Sequence, residues 1–401
     1  MHVLIVGGGL GGLSLAQCLR KQGISFEIFE RDVNEHARFQ GWAIAIHSII
    51  DDLASSFPSD VPDLKESTNH LAPLTLPAQI GLYYPGREGR LGVQDSPELP
   101  IVRAERLRLR NWLATNLPIQ WGKRVMRIEH DDEGVSVDFE DGTTAKGDIL
   151  VGADGINSVV RTHLLQRPSS DVLRLVPLAA IVGELTLSGE AFKRQLALGH
   201  SAYIYVSPDL GFWNFGGLHH TLPDGVSGRH FWMFMQPDPN VADPDHWLQT
   251  ASQQEKLDYV LKSVAKMPAK FREIFESTPA SGIKKEPHIW RDLELDGLPA
   301  GRVVLMGDAA HAMTPFRGEG GYHTLIDALN LSKILSKIDV KDIAAVKAAI
   351  AEYNAEMLER GTEAVRNSRN EQSANKTKDQ KSKVVSAMQE AKPLPEEVIV
   401  L

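Results

Sequence analysis

Residues 1–31 read MHVLIVGGGLGGLSLAQCLRKQGISFEIFER, and this stretch decides the fold. Val3 to Val6 is an apolar run suited to a buried parallel strand. Gly7-Gly8-Gly9-Leu10-Gly11-Gly12 follows at once and satisfies G-x-G-x-x-G. Leu10, Leu13, Ala16 and Leu19 then recur at helical spacing, and Gly23 stops the helix. Ile24 to Phe29 reads as a second strand, with Glu30 at its carboxyl end. Each part has a physical task. Gly7 permits the tight turn, Gly9 lets a pyrophosphate approach the backbone, and Gly12 lets the helix pack close to the sheet. The helix start offers unpaired N–H groups and the positive end of its dipole to phosphates. Glu30 is placed to accept hydrogen bonds from a ribose, and an acid there disfavours a 2′-phosphate. A glycine-rich turn without a ligand is the plain alternative; strand, turn, helix, second strand and acid in one register favour dinucleotide binding.

Composition narrows the class. A chain of 401 residues suggests one large or two medium domains, and 42% apolar residues supply a substantial core. A net charge of −9 without a long basic stripe argues against nucleic acid as a partner. One cysteine, Cys18, rules out a disulfide framework or cysteine metal cluster within the chain and points to a reducing, cytoplasmic compartment. No metal site is expected. A strand starting at the second residue leaves no room for a signal peptide in this sequence, and no apolar run is long enough to span a bilayer.

Outward from the first unit, Arg38, Gln40 and Gly41 precede an alternating apolar run from Ala43 to Ile46; spacing alone favours a solvated Arg38. Residues 55–100, rich in proline and glycine, read as a long irregular excursion of the kind that covers a ligand. Residues 106–113 form a basic amphipathic helix with Leu109 and Leu113 on one face, from which Arg106 can reach a phosphate. Residues 125–140 read as a hairpin. Residues 148–155, DILVGADG, form a second strand-to-glycine-turn unit entering a helix near Ser158; Asp154 sits where α/β sheets bind ligands, with turn capping as its plain alternative.

Residues 172–237 change character, with strand-like runs at 180–187, 202–206, 212–218 and 230–236 that suggest an antiparallel sheet. Tyr203 and Tyr205 share a face, as do His230, Trp232 and Phe234; such stripes are more often core than ligand wall. Residues 243–278 read as helical. Residues 302–311, RVVLMGDAAH, are a third strand-to-turn unit, followed by a loop holding Pro315, Gly318, Gly320 and Gly321 and a helix from His323 to Leu335. Glycine before a helix again presents N–H groups to something flat or anionic. Asp308 can bind a sugar or polyol hydroxyl, or cap its turn. A last amphipathic helix covers residues 343–368, and residues 370–383 are nearly devoid of large apolar side chains.

Three such units, the third near the carboxyl end, imply a discontinuous nucleotide domain wrapping a sheet insertion. The expected architecture is α/β: a Rossmann-like FAD-binding domain of residues 1–170 and 285–370, an antiparallel substrate domain of residues 171–284, and a polar tail of residues 371–401. At this point the chain resembles the FAD-dependent monooxygenases of the aromatic-hydroxylase type, particularly fungal secondary-metabolism members. The resemblance rests on GGGLGG with Glu30, ARFQGWAI, Arg106 with Leu109 and Leu113, GADG, and MGDAAHAMTPFRGEGG with Asp327-Ala328.

The resemblance implies roles by position. Gly7, Gly9 and Gly12 would hold the FAD pyrophosphate, Glu30 the ribose, and Arg31 and Arg38 would join them. Gly41 and Ala43 would lie on the flavin side, Arg106 at the phosphate and ribityl region, and Asp154 by both FAD and the transient NADPH or NADH. Asp308 would bind ribityl oxygens, Pro315 would flank the reactive ring edge, and Gly318, Gly320 and Gly321 would offer N–H groups to the pyrimidine end. The implied activity is NAD(P)H- and O2-dependent hydroxylation or epoxidation of a small aromatic, alkaloid or polyketide-like metabolite through a flavin hydroperoxide. No motif fixes catalytic residues. Tyr205, Trp213, His220 and Tyr322 are pocket candidates, and His311 and His323 are as readily structural as catalytic. Tyr322 and Thr324 depart from the family pattern, which keeps two other readings open: an FAD-dependent oxidoreductase or cyclase without oxygen insertion, and a flavin-binding protein without turnover. The expected assembly is a monomer or homodimer.

Overall fold

The computed structural model describes residues 1–86, 89–370 and 392–394. The chain opens with β1 (His2–Val6), α1 (Leu10–Gln22) and β2 (Ser25–Phe29). Next come β3 (Ala43–His47), α2 (Ile50–Ser56), α3 (Leu64–Thr68), β4 (Gln79–Tyr83), β5 (Leu91–Gln94), β6 (Ile101–Glu105) and α4 (Arg106–Leu113). They are followed by β7 (Ile119–Gln120), β8 (Val125–His130), β9 (Val135–Phe139), β10 (Thr144–Gly147), β11 (Ile149–Gly152) and α5 (Val159–Leu165). The middle of the chain gives β12 (Leu173–Leu175), β13 (Leu178–Ser188), α6 (Gly189–Leu196), β14 (Ala202–Ser207), β15 (Phe212–Thr221), β16 (Ser227–Pro237), α7 (Trp247–Thr250), α8 (Gln253–Val264) and α9 (Ala269–Glu276). It returns through β17 (Arg291–Leu293), β18 (Val303–Leu305), α10 (Asp308–His311), α11 (Gly320–Leu335), α12 (Ile343–Asn370) and β19 (Lys392–Pro393).

The three glycine-turn units converge on one five-stranded parallel sheet in the order β18-β11-β1-β2-β7. Val3 pairs with Ile149 on one side and Phe26 on the other, and Leu150 pairs with Val303. A strand buried on both faces needs a continuous apolar run, which is why Val3 to Val6 carries no polar alternation. The helix α1 ends at Gly23 in the left-handed region, with its N–H bonded to the Arg20 carbonyl.

The second sheet has seven strands in the order β13-β16-β15-β14-β4-β5-β19. Here the structure differs from the expectation for residues 55–100. That excursion is structured: β4 and β5 pair with each other and β4 pairs in parallel with β14, so the sheet takes in residues outside 171–284. At the far edge β19 pairs with β5, so part of the chain beyond residue 370 belongs to this sheet. The expected polar stretch at 371–383 and the last residues, 398–401, lie outside the described residues.

Each sheet has its own core. The parallel sheet buries Leu13, Leu19, Leu325 and Val346 from its flanking helices. The seven-stranded sheet packs Tyr203, Tyr205, Trp232 and Phe234 against Val260, Phe271 and Phe275 of α8 and α9, so the aromatic stripes expected to be core are core. The other face of that sheet is turned toward the nucleotide-type domain, and the space between them is the cavity described next.

Candidate active site

One cavity of about 1690 Å³ runs from the start of α1 to the inner face of the seven-stranded sheet. Its volume exceeds the ~300–1,000 Å³ typical of a single small ligand. Glu30, Arg106 and Asp308, far apart in sequence, all line it.

At one end the first glycine turn shapes the wall. Gly7 has φ +117°, and a Cβ there would stand 2.2 Å from the Ala153 carbonyl oxygen. A Cβ on Gly12 would stand 2.0 Å from the Gly7 oxygen, so Gly12 serves helix-to-strand packing and, contrary to its inclusion among ligand contacts, does not line the cavity. No side chain caps the start of α1 at Gly9, and its N–H groups open onto the cavity. The buried Glu30 carboxylate accepts the Gly8 N–H at 2.8 Å and the Asp32 N–H at 3.0 Å. Arg110 lies over the Trp121 ring, donates to the Gly8 carbonyl at 2.9 Å, and brings Nη2 to 3.7 Å from Glu30. Arg31 and Arg38 also line this end; Arg38 donates to Asp32 at 2.6 Å and stays exposed, as its spacing suggested.

Midway, Arg106 is the first residue of α4, its N–H held by the Trp42 carbonyl at 3.0 Å. Gly41 packs against its side chain, and Ala43 lines the wall beside it. Asp308 starts α10 and faces the cavity from the other side. Burial raises the Asp308 carboxyl, opposed by the nearby His311 and Arg106 charges. Burial likewise lowers the Arg106 guanidinium, opposed by Asp308. Asp308 is exposed to the cavity while the rest of its turn is buried.

The turn carrying Asp308 is fixed from behind. Asp327 on α11 accepts the Gly307 N–H and His311 Nε2–H, each at 2.7 Å, and Arg360 donates to its other oxygen at 2.7 Å. Burial alone would raise the Asp327 carboxyl; His311 and Arg360 together overcome it and hold it at about 2. His323 accepts from Arg360 at 3.1 Å, and burial, then Arg360, pushes its imidazole down to about 3. His311 and His323 are therefore positioning groups behind the wall. At the far end, Pro315 begins a single 3-10 turn, and Gly318, Gly320 and Gly321 lead into α11, whose start no side chain caps.

On the sheet side of this loop the cavity forms a chamber with largely apolar walls. Val206, Trp213, Phe215, Phe231, Met233 and Met235 form its sheet wall, and Trp290 and Phe316 face them. Strand pairing explains which pocket candidates belong. Val206 pairs with Trp213 and Tyr205 with Asn214, and paired residues share a face. Trp213 thus enters the chamber, whereas Tyr205 turns away and packs on Phe271, with ring centroids 4.7 Å apart. His220 follows a register shift in β15, lies against His219, and does not reach the chamber. Tyr322 also turns away, into the parallel-sheet core, stacked on His47 at 5.2 Å. Thr324, the other departure, lines the cavity with its hydroxyl bonded back to the Gly320 carbonyl. Asp154 reaches the wall, yet its carboxylate caps α5, accepting the Ser158 hydroxyl at 2.5 Å and the Val159 N–H at 2.8 Å. Both carboxylate oxygens are thus engaged at the start of α5, as its capping alternative expects.

Sequence reading passed over Arg103, Arg110 and Trp42. Arg103 is a cation at the centre of the strand Ile101–Glu105, every residue of which is buried, and that burial shows only in the fold.

These features fit FAD. Two helix starts without side-chain caps face one groove. Among the described residues the Asp308 carboxylate and the Arg106 guanidinium make no hydrogen bond, and the buried Arg110 Nη2, though ion-paired with Glu30, makes none either. Comparison with known proteins agrees. A model described as FAD binding domain matches residues 234–368, and one described as NAD(P)-binding Rossmann-like domain matches residues 5–34. The FAD-dependent monooxygenase thnD of Trichoderma harzianum is 62% identical over 373 residues, covering 92% of each chain. The chain belongs to the FAD-dependent monooxygenases. The monooxygenase cctM of Talaromyces islandicus is 28% identical across 91% of this chain and 90% of its own. Klebsiella pneumoniae HpxO, solved with FAD and uric acid, shares the fold with a TM-score of 0.70 at 22% identity, over 92% of this monooxygenase and 87% of HpxO. FAD is thus this monooxygenase's cofactor and NAD(P)H its reductant. No described helix is long and apolar enough to cross a membrane, and no described group of three or more His, Cys, Asp or Glu could hold a metal.

Proposed function

We propose that this monooxygenase hydroxylates or epoxidises a small aromatic, alkaloid or polyketide-like metabolite held between the seven-stranded sheet and the loop Pro315–Gly321. The observation that carries this reading is the continuity of the cavity, from an uncapped helix start beside Glu30 to an aromatic chamber under Trp213 and Phe231. Gly7, Gly9 and the α1 amides cradle the pyrophosphate, and Glu30 takes the adenosine ribose. Arg106 and Asp308 grip the phosphate and ribityl region from opposite walls. Gly318, Gly320 and Gly321 aim N–H groups at the pyrimidine end, where preorganised donors favour negative charge. Bound FAD supplies hydride acceptance from NADPH or NADH and activation of O2. The chain's own part is to orient the substrate by shape and to exclude water with Trp213, Phe215, Trp290 and Phe316. Asp327 holds the Gly307–Asp308 turn while His311 stays hydrogen-bonded to it.

The departures at Tyr322 and Thr324 motivate a reading without oxygen insertion; Tyr322 turns into the core, and Thr324, which lines the cavity, is the departure that still bears on it. The single cysteine, buried in α1, favours a reducing compartment such as the cytoplasm. The test is mass spectrometry of products formed from an aromatic metabolite panel with NAD(P)H under labelled dioxygen. Products carrying one labelled oxygen are expected; turnover that leaves the label out of every product would overturn the reading.

A further inference from the structure

Arg103 is a cation placed where cations are rarely tolerated. It sits at the centre of β6, only 9% exposed, paired with Ala45 of β3 on one side. On the other side its carbonyl accepts the His70 N–H at 3.1 Å, so the backbone is fixed on both edges. Its guanidinium lies 5.9 Å from the Phe215 ring centroid and lines the cavity. Among the described residues no carboxylate lies within ion-pairing distance and no hydrogen bond uses the side chain; its Nε is buried without a partner. Burial pushes the group down to about 10, which leaves it protonated at neutral pH. Buried charges are normally paired, and a rigid, planar fork of donors suits a planar pair of oxygens.

We propose that Arg103 is a substrate-recognition residue, and that the substrate is an aromatic molecule bearing an anionic oxygen, either a carboxylate or an ionised phenol or enol. The proposal rests on the functional reading above and gives the chamber its polarity. The aromatic walls set the plane of the ring system by shape, and one desolvated cation beside Phe215 fixes which end enters. The counter-charge that completes Arg103 arrives with the ligand.

The test uses the FAD-loaded full chain and three probes of one shape: 2-naphthoate, 2-naphthol titrated through its ionisation, and the neutral 2-naphthamide. Binding is followed by flavin absorbance and, independently of flavin, by quenching of tryptophan fluorescence, since Trp213 and Trp290 line the chamber. At least about 10-fold tighter binding of one anion than of the amide is expected, with the preferred arm identifying carboxylate or phenolate. Arg103→Gln should erase the preference while FAD occupancy stays native, and Arg103→Lys should keep part of it. Equal binding of anion and amide by the wild-type protein, or no anion binding at millimolar concentration, overturns the proposal without requiring any variant to fold. Preference retained in Arg103→Gln overturns it too, as does a shifted flavin spectrum or lost FAD with selectivity unchanged, which would assign Arg103 to the cofactor. Protein that takes up no FAD would instead overturn the functional reading, and the fluorescence arm would still decide the role of Arg103.

Discussion

Asp327 on α11 accepts the backbone N–H of Gly307 at 2.7 Å, so a helix that follows the flavin-type loop also holds the turn that precedes it. The Asp308 wall of the middle groove therefore depends on one buried carboxylate. Asp327→Asn leaves His311 without its bonded counter-charge and Arg360 with Glu356 alone, and should cost about 3–5 kcal/mol of stability. Thermal and denaturant unfolding measure this, with FAD content as the second readout. A variant with native melting and native FAD content would detach Asp327 from the turn.

Asp308 behaves differently, because its carboxylate serves no described partner within the protein. Asp308→Ala should weaken FAD binding by about 10–100-fold, the usual worth of a hydrogen bond to a charged group. The melting temperature of the apoprotein should hold or rise, since a carboxylate that faces the cavity without a hydrogen-bond partner is removed. Flavin titration of apoprotein checks the first outcome and calorimetry the second. Unchanged affinity would return Asp308 to a role in its turn.

Glu30 supplies the contrast. It accepts the Gly8 and Asp32 N–H groups and neighbours Arg110, so Glu30→Ala removes structure as well as a ligand contact. It should destabilise the apoprotein by about 1–3 kcal/mol and also weaken FAD retention. Native FAD occupancy in this variant would refute the ribose role.

Acid sensitivity follows from the buried histidines. Burial pushes His47 down to about 4, and burial with Arg360 pushes His323 to about 3. Both are neutral in the fold, so stability is full above the ordinary histidine value near 6.5. It falls as pH drops, each group contributing about 1.4 kcal/mol per pH unit until its folded value is passed. Asp327 has the opposite chemistry and the same sign: its depressed folded value gives stability present above the ordinary carboxylate range and lost as pH falls toward about 2. His311 is raised by Asp327 against burial, so its contribution is full below the ordinary histidine value near 6.5 and is lost as pH rises from there through its raised folded value. Melting temperatures from pH 8 to 4 test this, and His47→Gln should flatten the acid limb.

The parallel sheet and the groove were legible because their signals are local. A glycine turn after an apolar strand, and an acid at the next strand's end, occupy consecutive residues. The seven-stranded sheet was legible only in part. Nothing local in Gln79–Tyr83 says that it pairs with Ala202–Ser207 more than a hundred residues away, so residues 55–100 read as irregular. Facing was also out of reach. Tyr205 and Trp213 are both aromatic and strand-borne, and only the pairing of Tyr205 with Asn214 puts them on opposite faces. Tyr322 was misread for a similar reason: position after a glycine pair does not say toward which side of α11 the ring points. Arg103 was missed because a charged residue in a strand usually marks a solvent edge, and burial on both faces of β6 appears only once β3 and the chamber are assembled.

The pairing of β19 with β5 has a practical side. Pro393 lies opposite Leu91 and has no amide hydrogen to offer a neighbour, and Leu394 donates to the Arg90 carbonyl at 2.8 Å. Strand addition from another molecule is thereby blocked at this rim of the substrate sheet. Trimming the chain before Lys392 would uncover the Leu91–Gln94 edge, and the shortened protein should self-associate at concentrations where the full chain stays dispersed.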